Sequence, residues 1–241
     1  MEIFLIAHIL GDFYFQSQKI AQLKRKSKTD LYVHIAIYTA VFLILSLLAY
    51  CRWIECVLMT LLVGITHYLI DYSKVKVETN FRIPRIYVFF VDQLLHIFIL
   101  WLAYQVVSAY VPFYWIPMEF DIHDVMQYIV AILVCGKPAS IMISLFFKYV
   151  PKTIEDSLPK DDKVRVQEIA RIGSWIGVLE RQIILILATL GQYGAIGFVL
   201  TAKSIARHKQ LNEPAFAEKY LLGTLLSSFI ALICSVLCTL F

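Results

Sequence analysis

The chain is 241 residues long, 60% apolar and 17% charged, with a formal net charge of +4 and a mean hydropathy of +0.72. A soluble domain of this length carries about a quarter charged residues and far fewer apolar ones, so the composition excludes an ordinary soluble enzyme and predicts a polytopic membrane protein. The charge excess is small and gives no basis for a nucleic-acid partner.

A bilayer core needs roughly 17–25 apolar residues per helix. In chain order the candidate spans are 31–50, 53–72, 86–110, 125–148, 172–190 and 220–241. Two shorter pieces, 2–18 and 194–206, are interrupted by polar residues, and whether they cross in full is left open. The stretch "GQYG" at 191–194 reads as a tight turn before the shorter C-terminal piece. The fold class is therefore all-α, a polytopic helical bundle of about eight membrane segments in one integral membrane domain, 1–241. Its halves are a His/Asp-rich 1–110 and a Glu/Arg/Lys-bearing 125–241, with 151–171 as a cytoplasmic connection whose end, 160–171, reads as a surface helix. The N-terminus has no basic region and no small-residue cleavage site, so no cleavable signal is expected. The cysteines (Cys51, Cys56, Cys135, Cys234, Cys238) form no CxxC pair and read as packing residues.

Lys and Arg test that count. Five lie in 19–28, four in 74–85, six in 148–171 and four in 203–219, whereas the 111–124 loop holds none and carries Glu119, Asp121 and Asp124 instead. Eight segments put all four basic stretches on one side, which the positive-inside rule makes cytoplasmic. The expected location is a bacterial inner membrane, with both termini outside.

The polar residues then fall into a pattern. His8, Asp12 and Gln16 are spaced i, i+4, i+8 in the first segment, which places them in one stripe. His67 and Asp71 repeat the i, i+4 spacing at the end of the third segment, and Asp92 and His96 at the start of the fourth, with Gln93 between them. His34 opens the second. At 1.5 Å per residue all the His and Asp of this set lie within about 15 Å of the cytoplasmic interface. His nitrogens and Asp oxygens are ligands for zinc, manganese and related divalent ions, and an i, i+4 pair puts two of them on one helix face. The expected ligands are His8, Asp12, His67, Asp71, Asp92 and His96, around one or two ions. His34 and Gln93 stand behind them and Gln16 toward the mouth, while Asp12, Asp71 and Asp92 are the candidate catalytic carboxylates. The competing reading is packing and hydrogen bonding alone.

A second group lies in the C-terminal half. Glu180 and Arg181 are mid-span, Lys203 and Arg207 line the end of 194–206, and Lys137 sits in "CGKPAS", where Gly136 and Pro138 would break the helix. These residues read either as ion pairs, Glu180 with Lys137 or Arg181, or as a pocket for an anionic substrate.

Taken in order, "AHILGDFYFQ" followed by a basic loop, "HIAIY", "HYLIDY", "VDQLLH", "IGVLERQ", "AIGFVLTAKSIAR" and "EKYLLGT" resemble a bacterial inner-membrane family, domain of unknown function 3307. The resemblance runs over nearly the whole chain and brings no activity with it. The glycine after the first histidine and the His/Asp content are also loosely similar to membrane-bound metal-dependent hydrolases. Three functions remain in competition. One is a metal-dependent hydrolase of a lipid or other amphiphilic phosphoester at the cytoplasmic leaflet, with a zinc or manganese cofactor. Another is a metal-ion or proton-coupled transporter, and the third a non-catalytic partner-binding protein. The crowding of polar residues into the inner half favours the first over a transporter, which needs polar groups along both halves of a pathway. Membrane lipids are the expected partners, and the oligomeric state is left open.

Overall fold

The computed structural model describes residues 1–16, 28–50, 52–81, 83–110, 121–149 and 160–240, with the side chains of 160–171 outside the description. The basic stretch 19–27 and the loops 111–120 and 151–159 lie outside the described residues. Within them the chain is all-α: α1 (Glu2–Ile9), a π-helical turn (Leu10–Tyr14), α2 (Lys28–Ala49), α3 (Trp53–Asn80), α4 (Arg85–Tyr110), α5 (Ile122–Cys135), α6 (Lys137–Tyr149), α7 (Lys160–Thr189), α8 (Tyr193–Ala206), a 3-10 turn (Gln210–Asn212) and α9 (Pro214–Leu240).

Among the described residues, six stretches are long and apolar enough to cross a bilayer: Thr29–Ala49, Trp53–Asn80, Arg85–Tyr110, Ile122–Lys148, Ile172–Thr189 and Phe216–Thr239. Each contains or overlaps an expected span. The two short pieces are helical too, but α8 and the run Glu2–Tyr14 each rise only about 20 Å, short of a hydrocarbon core of about 30 Å. Large apolar side chains such as Leu48, Trp53, Leu94, Phe98, Leu179, Phe198 and Phe229 are exposed, which water would penalise and lipid does not. His8, Asp12, His34, His67, Asp71, Asp92, His96, Glu180 and Arg181 are buried instead.

The chain breaks locally where its residues require it. Between α5 and α6 the helix is interrupted at Gly136, two residues before Pro138, which has no N–H to continue the ladder. Gly191 ends α7 at φ +69°. There the Gly191 N–H bonds to Ala188 O and the Gln192 N–H to Leu187 O, the Schellman pattern that a glycine permits. The expected surface helix 160–171 has no boundary with the following span, because α7 runs unbroken from Lys160 to Thr189.

The contacts divide the chain into two units, Met1–Leu133 and Val134–Phe241. In the first, α1 packs on α2, α2 on α3, α3 on α4, and α4 back on α1, so four helices close a ring. The π turn packs on α2 at Gly11, where a Cβ would stand 2.8 Å from Tyr38 Cδ2 and 3.2 Å from its Cα. In the second unit α9 packs on α6 and α7, and α7 also on α6 and α8.

Candidate functional site

The four-helix ring of the first unit is built in layers, because each helix aims one i, i+4, i+8 stripe inward. The stripes are Phe4–His8–Asp12 on α1 and its π turn, Phe42–Tyr38–His34 on α2, Val63–His67–Asp71 on α3 and Leu100–His96–Asp92 on α4, all buried. Phe4, Phe42, Val63 and Leu100 belong to the apolar core, which continues through Met59, Cys56, Ala103 and Val107. The middle layer is a closed set of four rings. Centroids lie 5.8 Å apart for His8–Tyr38, 3.7 Å for Tyr38–His67, 4.4 Å for His67–His96 and 5.1 Å for His96–His8. The last layer is Asp12, His34, Asp71 and Asp92.

His34 is the centre of that layer. Its Nε2 lies 3.2 Å from His67 Nε2, 3.3 Å from Asp12 Oδ1 and 3.3 Å from Asp71 Oδ2. His67 Nε2 is 4.0 Å from the same Asp71 oxygen. Asp12, His34 and His67 each offer a ligand atom within 4.8 Å of the others, a spacing at which they could share a cation. Two facing imidazole nitrogens hold at most one proton between them, and one N–H cannot serve three acceptors. A divalent cation would meet all of these electron pairs at once, whereas a proton would meet only part of them.

Around this centre runs a directed hydrogen-bond chain. Gln93 Nε2 donates to Asp12 Oδ2 at 3.3 Å and to Asp92 Oδ2 at 3.0 Å. The reverse orientation would point a carbonyl at two carboxylates, so Gln93 Oε1 must face His8 and accept from its Nε2–H, 3.2 Å away. His8 Nδ1 is then a lone pair and accepts from the Tyr38 hydroxyl at 3.2 Å. Both nitrogens of His8 are thereby engaged. On α4, His96 Nδ1 donates to the Asp92 carbonyl at 2.8 Å, and Lys74 Nζ donates to Asp92 Oδ2 at 2.6 Å. Among the His and Asp side chains of this cluster, His67 Nδ1, Asp92 Oδ1 and His96 Nε2 are buried with no hydrogen-bond partner.

The placement of the expected ligands follows. Asp12, His67 and Asp71 meet at His34, which the sequence puts behind the ligands and the structure puts among them. His8, expected as a ligand, braces Asp12 through Gln93. Asp92 and His96 lie beside the centre, and Gln16 is half-buried after the π turn. Sequence reasoning missed Tyr38 and Lys74. Tyr38 follows His34 by four residues, the spacing that marks the other stripes, and Lys74 follows Asp71 by three on one helix face.

In the second unit Glu180 is paired with Lys203, which also donates to Thr224 Oγ1 at 3.1 Å and lies over the Tyr220 ring. Arg181 binds the broken helix. Nε donates to Cys135 O at 2.7 Å, Nη2 to Gly136 O at 3.4 Å and Ser140 Oγ at 2.6 Å, and Nη1 to Ser227 Oγ at 3.3 Å. Cys135 O ends α5, where a cation is favoured, and Gly136 O also accepts the Ser140 N–H that opens α6. Lys137 is exposed on the first turn of α6, and Arg207 caps α8, half-buried. Of the five expected anion-binding residues, only Glu180 and Lys203 are brought into contact by these bonds.

A ring of apolar-coated helices enclosing buried histidines and aspartates, with six stretches able to span a bilayer, defines a multi-pass, all-α membrane protein. Residues 1–120 match the family described as Protein of unknown function (DUF3307). By this N-terminal half the chain belongs to that family, and the match contains the whole His/Asp cluster and none of the second unit. No curated protein and no solved structure matches the chain.

Proposed function

We propose that the first unit binds a divalent cation, zinc or manganese, at Asp12, His34, His67 and Asp71, and that the protein is a metal-dependent hydrolase of a lipid or other amphiphilic phosphoester. In this reading the basic stretches face the cytoplasm of a bacterial inner membrane, both termini lie outside, and the site serves the cytoplasmic leaflet.

One observation carries it. The three contacts of His34 Nε2 with Asp12, Asp71 and His67 measure 3.3, 3.3 and 3.2 Å, and His67 Nε2 stands 4.0 Å from Asp71 Oδ2. Ligands at 2.0–2.1 Å from a tetrahedral zinc stand about 3.3–3.4 Å apart. The brace from Tyr38 through His8 and Gln93 to Asp12 is the kind of outer support that holds metal ligands in place. A divalent ion there supplies Lewis acidity toward a phosphoryl oxygen and activates water at neutral pH. The ester bond to phosphorus breaks as the water oxygen bonds to phosphorus, and the alcohol leaves with a proton.

The proton-coupled alternative has its own support, since an imidazolium at His34 would also offset the negative charge of Asp12 and Asp71. Against transport stands the apolar layer of Phe4, Phe42, Val63 and Leu100, which closes the unit behind the cluster. Metal analysis of the purified protein separates the two. The hydrolase reading expects about one tightly held ion per chain, lost in His34→Ala and Asp71→Asn, together with phosphoesterase activity that falls in the same variants. Protein that stays metal-free after incubation with zinc and manganese rules it out.

A further inference from the structure

The donors left over by the first cation lie together on α4. We propose that Asp92 and His96 form a second divalent-cation site, whose place the Lys74 ammonium holds in the form described. The proposal rests on the reading of the first unit as a metal centre.

His96 is already arranged as a ligand. Its Nδ1–H donates to the Asp92 carbonyl at 2.8 Å, which fixes the tautomer and leaves Nε2 a bare lone pair. A backbone carbonyl on the far nitrogen is how proteins orient metal-binding imidazoles. His96 and Asp92 are each 3% exposed, and His96 Nε2 and Asp92 Oδ1 have no hydrogen-bond partner. Burying such acceptors unmet is costly. Both are electron-pair donors, so they call for a cation or a hydrogen-bond donor and not an anionic group.

Lys74 meets that need in part. Its Nζ reaches Asp92 Oδ2, which also receives Gln93 Nε2. An ammonium is a compact point charge, and here it leaves His96 Nε2 unserved and Asp92 Oδ1 with no more than the 3.7 Å approach of His96 Nδ1. The Lys74 side chain is 17% exposed, against 2% for Asp92, so it is the partner at the edge of the unit that can leave. The pair also repeats His67 and Asp71 on the neighbouring helix, with the same four-residue spacing and the carboxylate in the same layer. There the carboxylate joins His34, and here it takes a lysine. Two protein donors completed by water suit a magnesium- or manganese-type ion. The second site is therefore weaker than the first, and filling it would create a two-metal clamp.

The test is manganese binding to the detergent-solubilised full chain, by equilibrium dialysis and electron paramagnetic resonance. Lys74→Met should raise tightly bound manganese from about one to about two ions per chain and bring out the signal of two coupled ions. Adding His96→Ala or Asp92→Asn to Lys74→Met should return it to about one, and Lys74→Arg should stay at the wild-type value. In wild type, raised manganese should reveal a second, weaker step that His96→Ala removes, which keeps the test alive if Lys74→Met does not fold. Two equal tight sites in wild type would overturn the proposal. So would one site in a folded Lys74→Met, which leaves the first centre standing. Wild type binding none while Lys74→Met binds one His96-dependent ion would remove the first centre and uphold the second.

Discussion

Gly11→Ala tests whether the π turn and the ring layer form one rigid support. The new Cβ would stand 2.8 Å from Tyr38 Cδ2 and 3.2 Å from Tyr38 Cα. Ordinary carbon–carbon contact begins at about 3.5 Å, so the first shortfall is about 0.7 Å. Tyr38 has nowhere to turn, because its ring lies parallel to His67 at 3.7 Å and its hydroxyl donates to His8. The π turn must move instead, and Asp12 moves with it. Overpacking costs about 1–3 kcal/mol, and a clash that includes backbone belongs near the upper end. Replacing a helical glycine with alanine returns about 1 kcal/mol, which leaves a net loss of about 2 kcal/mol. The effect on a bound ion is larger in proportion, since ligand distances tolerate only about 0.2 Å. Zinc affinity should fall at least about tenfold, as when a supporting residue of a metal site is lost. Melting in detergent, followed by tryptophan fluorescence, and zinc competition with a chelator read the two effects. Gly173→Ala, where a Cβ meets nothing within 4 Å, should leave both unchanged. Wild-type melting and wild-type zinc affinity in Gly11→Ala would show that Tyr38 yields, and the layered support would be refuted.

Reporter fusions after Arg25, Arg82, Asp156 and Lys209 should read cytoplasmic and one after Met118 external. A cytoplasmic signal at Met118 would break the eight-segment topology. In the second unit, Lys203→Met should cost about 3–5 kcal/mol by leaving Glu180 buried and uncompensated, while the double variant Glu180→Leu/Lys203→Met recovers most of that loss in the same melting assay. A double variant as unstable as the single one would show that the pair's packing matters more than its charge.

The spans were legible because long apolar runs have one meaning in a bilayer, and the break at Gly136 because Pro138 has no amide proton. The i, i+4 spacing also revealed which residues share a stripe. It could not reveal the roles within a layer. Whether His8 or His34 stands beside Asp12 depends on how neighbouring helices are rotated, and on a Gln93 amide whose orientation two carboxylates decide. The π turn at Leu10–Tyr14 has no local signature, since its wider bond from Phe15 N to Leu10 O follows from how closely Gly11 lets it approach α2. Lys74 was counted among the basic flanking residues that set topology, and only its distance to Asp92 separates it from them. Glu180 finds Lys203 rather than Lys137 for a similar reason. The turn at Gly191 folds α8 back along α7, bringing to the carboxylate a residue 23 positions away.

The apolar layers behind the cluster make the first unit a cul-de-sac. From Val63 to Cys56 on α3, and from Leu100 to Val107 on α4, the buried hydrophobic plug runs seven residues, about 10 Å. A charged solute seated among Asp12, His34 and Asp71 has no second exit along the axis of this unit. Among the described residues, whatever enters from the carboxylate end meets this plug and returns the way it came. Along its own axis such a dead end fills and empties from the carboxylate end alone.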